Sequence, residues 1–189
     1  WWNNFGDFNY TNMDEFQVHT SSSWAGESTE IVSFVNYVEG IYVGYKFYET
    51  AALEGLINYD EIVQYPFGYG LSYTTFEQKM GEITEANGVI SFDVTVTNTG
   101  AAAGKDVVEV YFNPPYTNGG IEKASANLVE FAKTDLLEPG ASQTLTISFD
   151  AEDMASYDYI GAKGYVLEAG DYVISINSDS HTVLDSKTY

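Results

Sequence analysis

Hydrophobic and polar residues alternate most clearly in the second part of the chain. Ile90, Phe92, Val94 and Val96 fall on one face of residues 89–97, with Ser91, Asp93, Thr95 and Thr97 on the other. That period of two predicts a half-buried strand. Asn98-Thr99-Gly100 then breaks it. Val108, Val110 and Phe112 put a second strand at 105–112, closed by Pro114-Pro115. Residues 128–136 read as a third. Glu138-Pro139-Gly140 has the chemistry of a turn. Leu145, Ile147 and Phe149 alternate with Thr144, Thr146 and Ser148 in the next strand. Tyr172, Ile174 and Ile176 mark another, and residues 181–186 the last.

Six or seven short strands punctuated by turns predict an immunoglobulin- or fibronectin III-like β-sandwich. Leu167-Glu168-Ala169-Gly170-Asp171-Tyr172 has the form of a tyrosine corner, in which the phenol bonds back to nearby backbone.

The first part has a different texture. Of the 30 aromatic residues, 19 lie in residues 1–76, including all three Trp. Trp1 to Trp24 reads as turn-rich loop. Residues 31–48 carry strand-like runs, among them Ile31, Val32, Phe34, Val35 and Ile41 to Tyr45. Residues 51–63 offer one helical turn, and Gly55 argues against a long helix. Seventy-odd residues with so little regular pattern cannot easily close a core of their own. Their aromatic content would be a liability in isolation. We therefore divide the chain at 75, into 1–75 and 76–189. The Trp1-Trp2 start carries no initiating Met and no signal-like segment, so we read the sequence as part of a longer chain.

Charge narrows the partners. There are 28 acidic residues against 7 basic ones, all Lys, for a net charge of −21. Such a chain repels phosphate backbones and anionic membranes, so neither nucleic acid nor a membrane is expected. No run approaches the ~18 apolar residues of a membrane span. With no Cys there is no disulfide, thiol nucleophile or thiolate metal site, and nothing that fixes the compartment.

Catalytic motifs are sparse. The two His residues, His19 and His181, are far apart and read as surface or structural. No Gly-x-Ser-x-Gly elbow or P-loop occurs, and Gly68-Tyr69-Gly70 lacks the rest of a dinucleotide fingerprint. Asp150, Glu152, Asp153 and Asp158 lack the spacing of a calcium loop and read as a solvated acidic loop. No metal and no cofactor is expected. Glycoside hydrolysis needs two facing carboxyl groups. Glu39 and Glu49 are candidates by type alone. Trp1, Trp2, Trp24, Tyr37 and Tyr42 could stack on sugar rings, with core or interface packing as the plain alternative.

Two blocks carry a resemblance: Tyr37-Val38-Glu39-Gly40-Ile41-Tyr42-Val43-Gly44-Tyr45-Lys46-Phe47-Tyr48, then Tyr65-Pro66-Phe67-Gly68-Tyr69-Gly70-Leu71-Ser72-Tyr73-Thr74-Thr75-Phe76. In this order they resemble the end of the α/β sandwich domain of glycoside hydrolase family 3. Downstream, Asn98-Thr99-Gly100, Leu128-Val129-Glu130-Phe131, Leu137-Glu138-Pro139-Gly140 and the 167–172 corner are similar to the fibronectin type III-like domain of that family.

The resemblance implies a mainly β fold, a sandwich preceded by the aromatic-rich closing segment of an α/β domain. It implies a parent enzyme that hydrolyses terminal non-reducing β-glucosyl or β-xylosyl residues with retention. The partners would be the remaining catalytic domains, on the same or a separate chain, and through them a β-linked oligosaccharide or glycoside. A homo-oligomer stays open.

The family's nucleophile lies in a Ser-Asp-Trp type motif, absent here, and nothing before Tyr37 matches its acid/base loop. No catalytic residue is carried over, and this chain alone is expected to be inactive. Glu39 lies in a family motif and reads as structural. Trp1, Trp2, Trp24, Tyr37, Glu39 and Tyr42 remain candidates for the substrate rim. Position 46 is Lys where relatives often have Arg, which loses the planar fork. The alternative is a fibronectin-like module that binds carbohydrate or protein without hydrolysing anything.

Overall fold

The computed structural model describes residues 40–189 in full and, before them, the backbone of two strands. These are β1 (Gln17–Ser23) and β2 (Gly26–Val32), paired antiparallel with Gln17 opposite Val32. The loop expected from Trp1 to Trp24 therefore gives way to a strand at 17–23. With Val18 as its one apolar residue, Gln17–Ser23 carries no apolar alternation from which a strand could be read. Residues 1–40 form one compact unit and residues 41–189 another.

Within 41–189 two short helices come first, α1 (Tyr45–Leu53) and α2 (Tyr59–Ile62). Ten strands follow. They are β3 (Phe76–Met80), β4 (Thr84–Ala86), β5 (Val89–Asn98), β6 (Val107–Asn113) and β7 (Asn127–Lys133). Then come β8 (Ser142–Asp150), β9 (Ser156–Asp158), β10 (Gly164–Val166), β11 (Val173–Asn177) and β12 (Val183–Thr188).

Every pairing is antiparallel. One sheet runs β12-β11-β6-β7. In the other, β5 carries β8 along one edge, and β3 and β4 in succession along the other. β9 and β10 make a separate hairpin.

The core is the one the alternation predicts. Ile90, Phe92, Val94 and Val96 pack against Val108, Val110, Ile147, Ile174 and Ile176. The opposite face of β5 is bridged by hydroxyls: Thr95 meets Thr144 at 3.3 Å and Thr97 meets Ser142 at 2.8 Å. The turn at 138–140 forms, with the Ala141 N–H donating to the Glu138 carbonyl. The corner forms too: the Tyr172 hydroxyl donates to the Glu168 carbonyl at 3.1 Å.

Asn98 does more than break β5. It is fully buried, its amide donates to the Ala102 and Leu137 carbonyls, and its oxygen accepts from Thr74 and the Gly100 N–H. It thereby fastens the incoming Thr74-Thr75 segment to the sandwich.

Residues 45–48, expected to be extended, are helical. Their aromatic side chains favour strands in general. Here Tyr45 and Glu49 are four apart, so a helix sets them on one face, towards the sandwich. The helix ends as its sequence demands. Gly55 has φ +70°, its N–H donates to the Ala52 carbonyl, and the Leu56 N–H donates to the Ala51 carbonyl. That is a Schellman motif, which requires a residue at ease in the left-handed region. Among the described residues, no helix is long and apolar enough to cross a membrane.

Candidate functional site

The outward face of β6 and β11 is unusual for a sandwich, because Glu109, Tyr111, Ser175 and Asn177 are all buried there. The helical segment covers them. Tyr45 stacks on Phe67 with ring centroids 4.9 Å apart and sets its ring edge-on to Tyr111 at 5.9 Å. Its hydroxyl accepts the Leu128 N–H at 2.9 Å. The Phe67 carbonyl accepts from the Ser180 N–H at 2.8 Å. Pro66 to Tyr69 is a type II turn, closed by the Tyr69 N–H on the Pro66 carbonyl, with Gly68 at φ +88°.

Glu109 lies under that turn, and the Tyr111 hydroxyl donates to it at 2.8 Å. Burial pushes the Glu109 carboxyl above its ordinary value, against the pull of the Tyr111 bond, and the nearby Asp179 adds to the rise.

Helix α1 brings a second carboxylate in. Glu49 is buried, and its Oε1 accepts from the Tyr59 hydroxyl at 2.6 Å and the Ser180 hydroxyl at 2.9 Å. Its Oε2 lies 2.8 Å from His181 Nδ1. The His181 ring stacks flat on Tyr59, with centroids 3.7 Å apart. Burial, then the bond to Glu49, holds the Tyr59 phenol above its ordinary value, so it remains a donor. Glu49, a candidate for hydrolysis by residue type, thus has its oxygens engaged by three side chains. It works here as an acceptor that ties α1, α2 and the β11–β12 turn together. His181 joins it, as a structural reading of that residue expects. The side chains face a surface groove of about 400 Å³ between α1 and β11.

On the other flank of α1 lies Tyr42. Its hydroxyl donates to Glu122 Oε2 at 2.6 Å, and burial followed by that bond raises its phenol well above the ordinary value. Tyr42 borders a pocket of about 290 Å³ shared with Asn113 at the end of β6 and with Tyr116 and Asn118 of the β6–β7 connection. The other rim candidates, Trp1, Trp2, Trp24, Tyr37 and Glu39, lie outside the described residues, as does the side chain of His19.

In the acidic stretch, the Asp158 carboxylate accepts the N–H groups of Ile160, Gly161 and Ala162 at 2.8–3.0 Å. It closes the β9–β10 hairpin on itself. Among the described residues, no three His, Asp or Glu side chains are grouped as a metal would need.

Comparison with known proteins matches residues 106–180 to the fibronectin type III-like domain family. Those residues form a fibronectin type III-like domain. The matched residues run from the start of β6 to the turn that holds Ser180, so they include Glu109 and Tyr111. The longer chain is 40% identical over 158 residues to beta-glucosidase A of Butyrivibrio fibrisolvens, covering 74% of this chain and 18% of that protein. It is 43% identical over 148 residues to a beta-glucosidase of Ruminococcus albus, covering 76% of this chain and 14% of the relative.

Among solved structures, beta-glucosidase 3B of Thermotoga neapolitana in complex with glucose matches with a TM-score of 0.70 at 35% identity, over 82% of this chain and 20% of that one. A beta-glucosidase of family 3 from Bifidobacterium adolescentis matches with a TM-score of 0.70 at 29% identity, over 88% and 22%. The resemblance to glycoside hydrolase family 3 therefore holds, and the matched fibronectin type III-like residues lie within it. The chain spans 14–19% of the length of the curated relatives it matches.

Proposed function

We propose that this chain is the non-catalytic portion of a family 3 glycoside hydrolase that acts on terminal non-reducing β-glucosyl or β-xylosyl residues. Residues 1–75 would be the closing segment of its α/β sandwich domain and residues 76–189 its fibronectin type III-like domain. The chain's work is to hold the catalytic domains in place and to contribute Tyr42, with the aromatic residues before it, to the substrate rim.

One observation carries this reading. Residues 41–75 are pinned to the sandwich through Tyr45, Glu49 and Gly68, yet Leu56, Leu71 and Tyr73 on the same segment stand 77%, 89% and 103% exposed. Leu53 and Tyr65 are also exposed. So many large apolar side chains left exposed on one segment suit an interface with another part of a larger protein. The remainder of an α/β domain would fill it, and the sandwich would serve as the rigid backing.

The test compares the polypeptide as its source cell makes it with this chain alone, on 4-nitrophenyl β-glucoside and β-xyloside. Turnover is expected in the first and not in the second. Turnover by the isolated chain, abolished by Glu39→Gln, would overturn the reading. So would an intact polypeptide without glycosidase activity.

A further inference from the structure

The pocket beside Tyr42 has a composition that the framing role does not require. It is walled by α1 on one side and by the 113–125 stretch of the β6–β7 connection on the other. Tyr42 and Tyr116 border it, and Asn113, Asn118 and Glu54 line it with them. Tyr42 is held by Glu122 and cannot swing freely. Tyr116 is 47% exposed, so its ring has surface to offer.

The charges around the pocket select against anions. Lys123 at the back is only 7% exposed, donates to the Pro115 carbonyl and is paired with Glu168. Its charge is spent inside the wall. Glu54 and Glu122 stand at the rim, on a chain whose net charge is −21, and they repel an anion. An anion is thereby excluded, and the polar groups of the wall favour a neutral ligand over a cation. Primary amides donate and accept at once, which suits adjacent hydroxyls, each of which does the same. Tyrosine offers an apolar ring with a polar tip. At about 290 Å³ the pocket is at the small end of ligand clefts, sized for a single ring. The groove beside Glu49 is larger, but its carboxylate is already bonded to three neighbours.

We propose that this pocket binds one neutral pyranose ring, free or at the end of a β-linked oligosaccharide, with Tyr42 and Tyr116 along its apolar edge and the Asn113 and Asn118 amides on its hydroxyls. The choice of a β-linked sugar rests on the proposed function; the site itself rests on the pocket. It is a site on this chain's own surface, built by the fibronectin type III-like domain together with the segment that precedes it.

The experiment titrates the 189-residue chain with glucose, with cellobiose and with tetramethylammonium, by calorimetry and by ligand-observed NMR. Glucose and cellobiose should bind with dissociation constants on the order of 1 mM, as a single-ring contact allows. Tyr116→Ala and Asn118→Ala should each weaken binding at least about tenfold, with melting temperatures unchanged because both side chains stand on an open loop. Tyr157→Ala, on the remote β9–β10 hairpin, should leave it intact. Absence of sugar binding, binding indifferent to both loop variants, or preference for the tetramethylammonium probe would each overturn the proposal. Flat titrations would leave the glycosidase assays above unaffected, and a failed glycosidase assay would leave these titrations readable.

Discussion

Gly68 rests so closely on Glu109 that a β-carbon at position 68 would sit 2.4 Å from both carboxylate oxygens. Its φ of +88° also disfavours any other residue. Gly68→Ala should therefore cost about 2 kcal/mol, the backbone penalty plus the displaced carboxylate. For a domain of this size that lowers the melting temperature by about 4–8 °C. The double variant Gly68→Ala, Glu109→Ala should recover only the share due to the clash. A melting temperature unmoved by Gly68→Ala would show that the turn does not bear on the sandwich.

Glu109 gives a pH dependence whose sign follows from its burial. Its folded pKa is raised above the unfolded value, so the fold prefers the protonated form. The stability tied to that proton is fully present below the ordinary glutamate range and is lost as pH rises through the raised value. Glu109→Gln keeps an acceptor for Tyr111 and removes the titration. It should stabilise the protein at neutral pH and change little below pH ~4. Urea melts at both pH values check this, and a variant equally stable or unstable at both would contradict it.

Removing the Glu49 carboxylate should cost far more than a surface acid does. Glu49→Ala leaves the Tyr59 and Ser180 hydroxyls without their acceptor and His181 without its partner. Breaking a buried network of this kind costs about 3 kcal/mol. Denaturant melts measure the total, and hydrogen exchange should show faster opening at Ser180, whose N–H bonds to Phe67. A loss under about 1 kcal/mol would mean that the ties through Tyr45 and Gly68 suffice without it.

The β9–β10 hairpin should respond to acid in the opposite sense from Glu109. Backbone N–H groups of Ala162 and Gly161 hold the Asp158 carboxyl below its ordinary value. The order it confers is present above the ordinary aspartate range and disappears as pH falls through the lowered value. Asp158→Ala should speed exchange of the Ile160, Gly161 and Ala162 amides at neutral pH, lowering their protection relative to unstructured peptide at the same pH to the protection the parent shows in acid. Unchanged exchange would place the order of this tip elsewhere.

The sandwich was legible because its signals are local. Ile90 to Val96 announce their own period, and Tyr172 finds its partner four residues away at Glu168. The tie between Glu49 and His181 spans 132 residues and leaves no trace in spacing. Glu49 could be named only by its type, and His181 only as structural. Helix α1 hid for the same reason: Tyr45, Phe47 and Tyr48 favour strands, and what makes them helical is the fit of Tyr45 to Tyr111 and Leu128 and of Glu49 to Ser180 and His181. β9 and β10, three residues each, are too short to show a period. The pocket beside Tyr42 depends on a loop that brings Tyr116 and Asn118 back to residue 42, a closure no motif records.

The distance between Glu49 and Ser180 also sets a timetable. A ribosome adding about 5–20 residues per second needs roughly 7–26 s to cover those 131 residues. During that interval α1, nine residues long, lacks the Ser180 and His181 partners of Glu49 and is too short to persist alone. Its apolar neighbours wait with it. The β11–β12 turn, emerging long after α1, is thus the latch that closes the earlier segment, and losing residues 180–189 would undo structure near residue 49 before it undid the strands between.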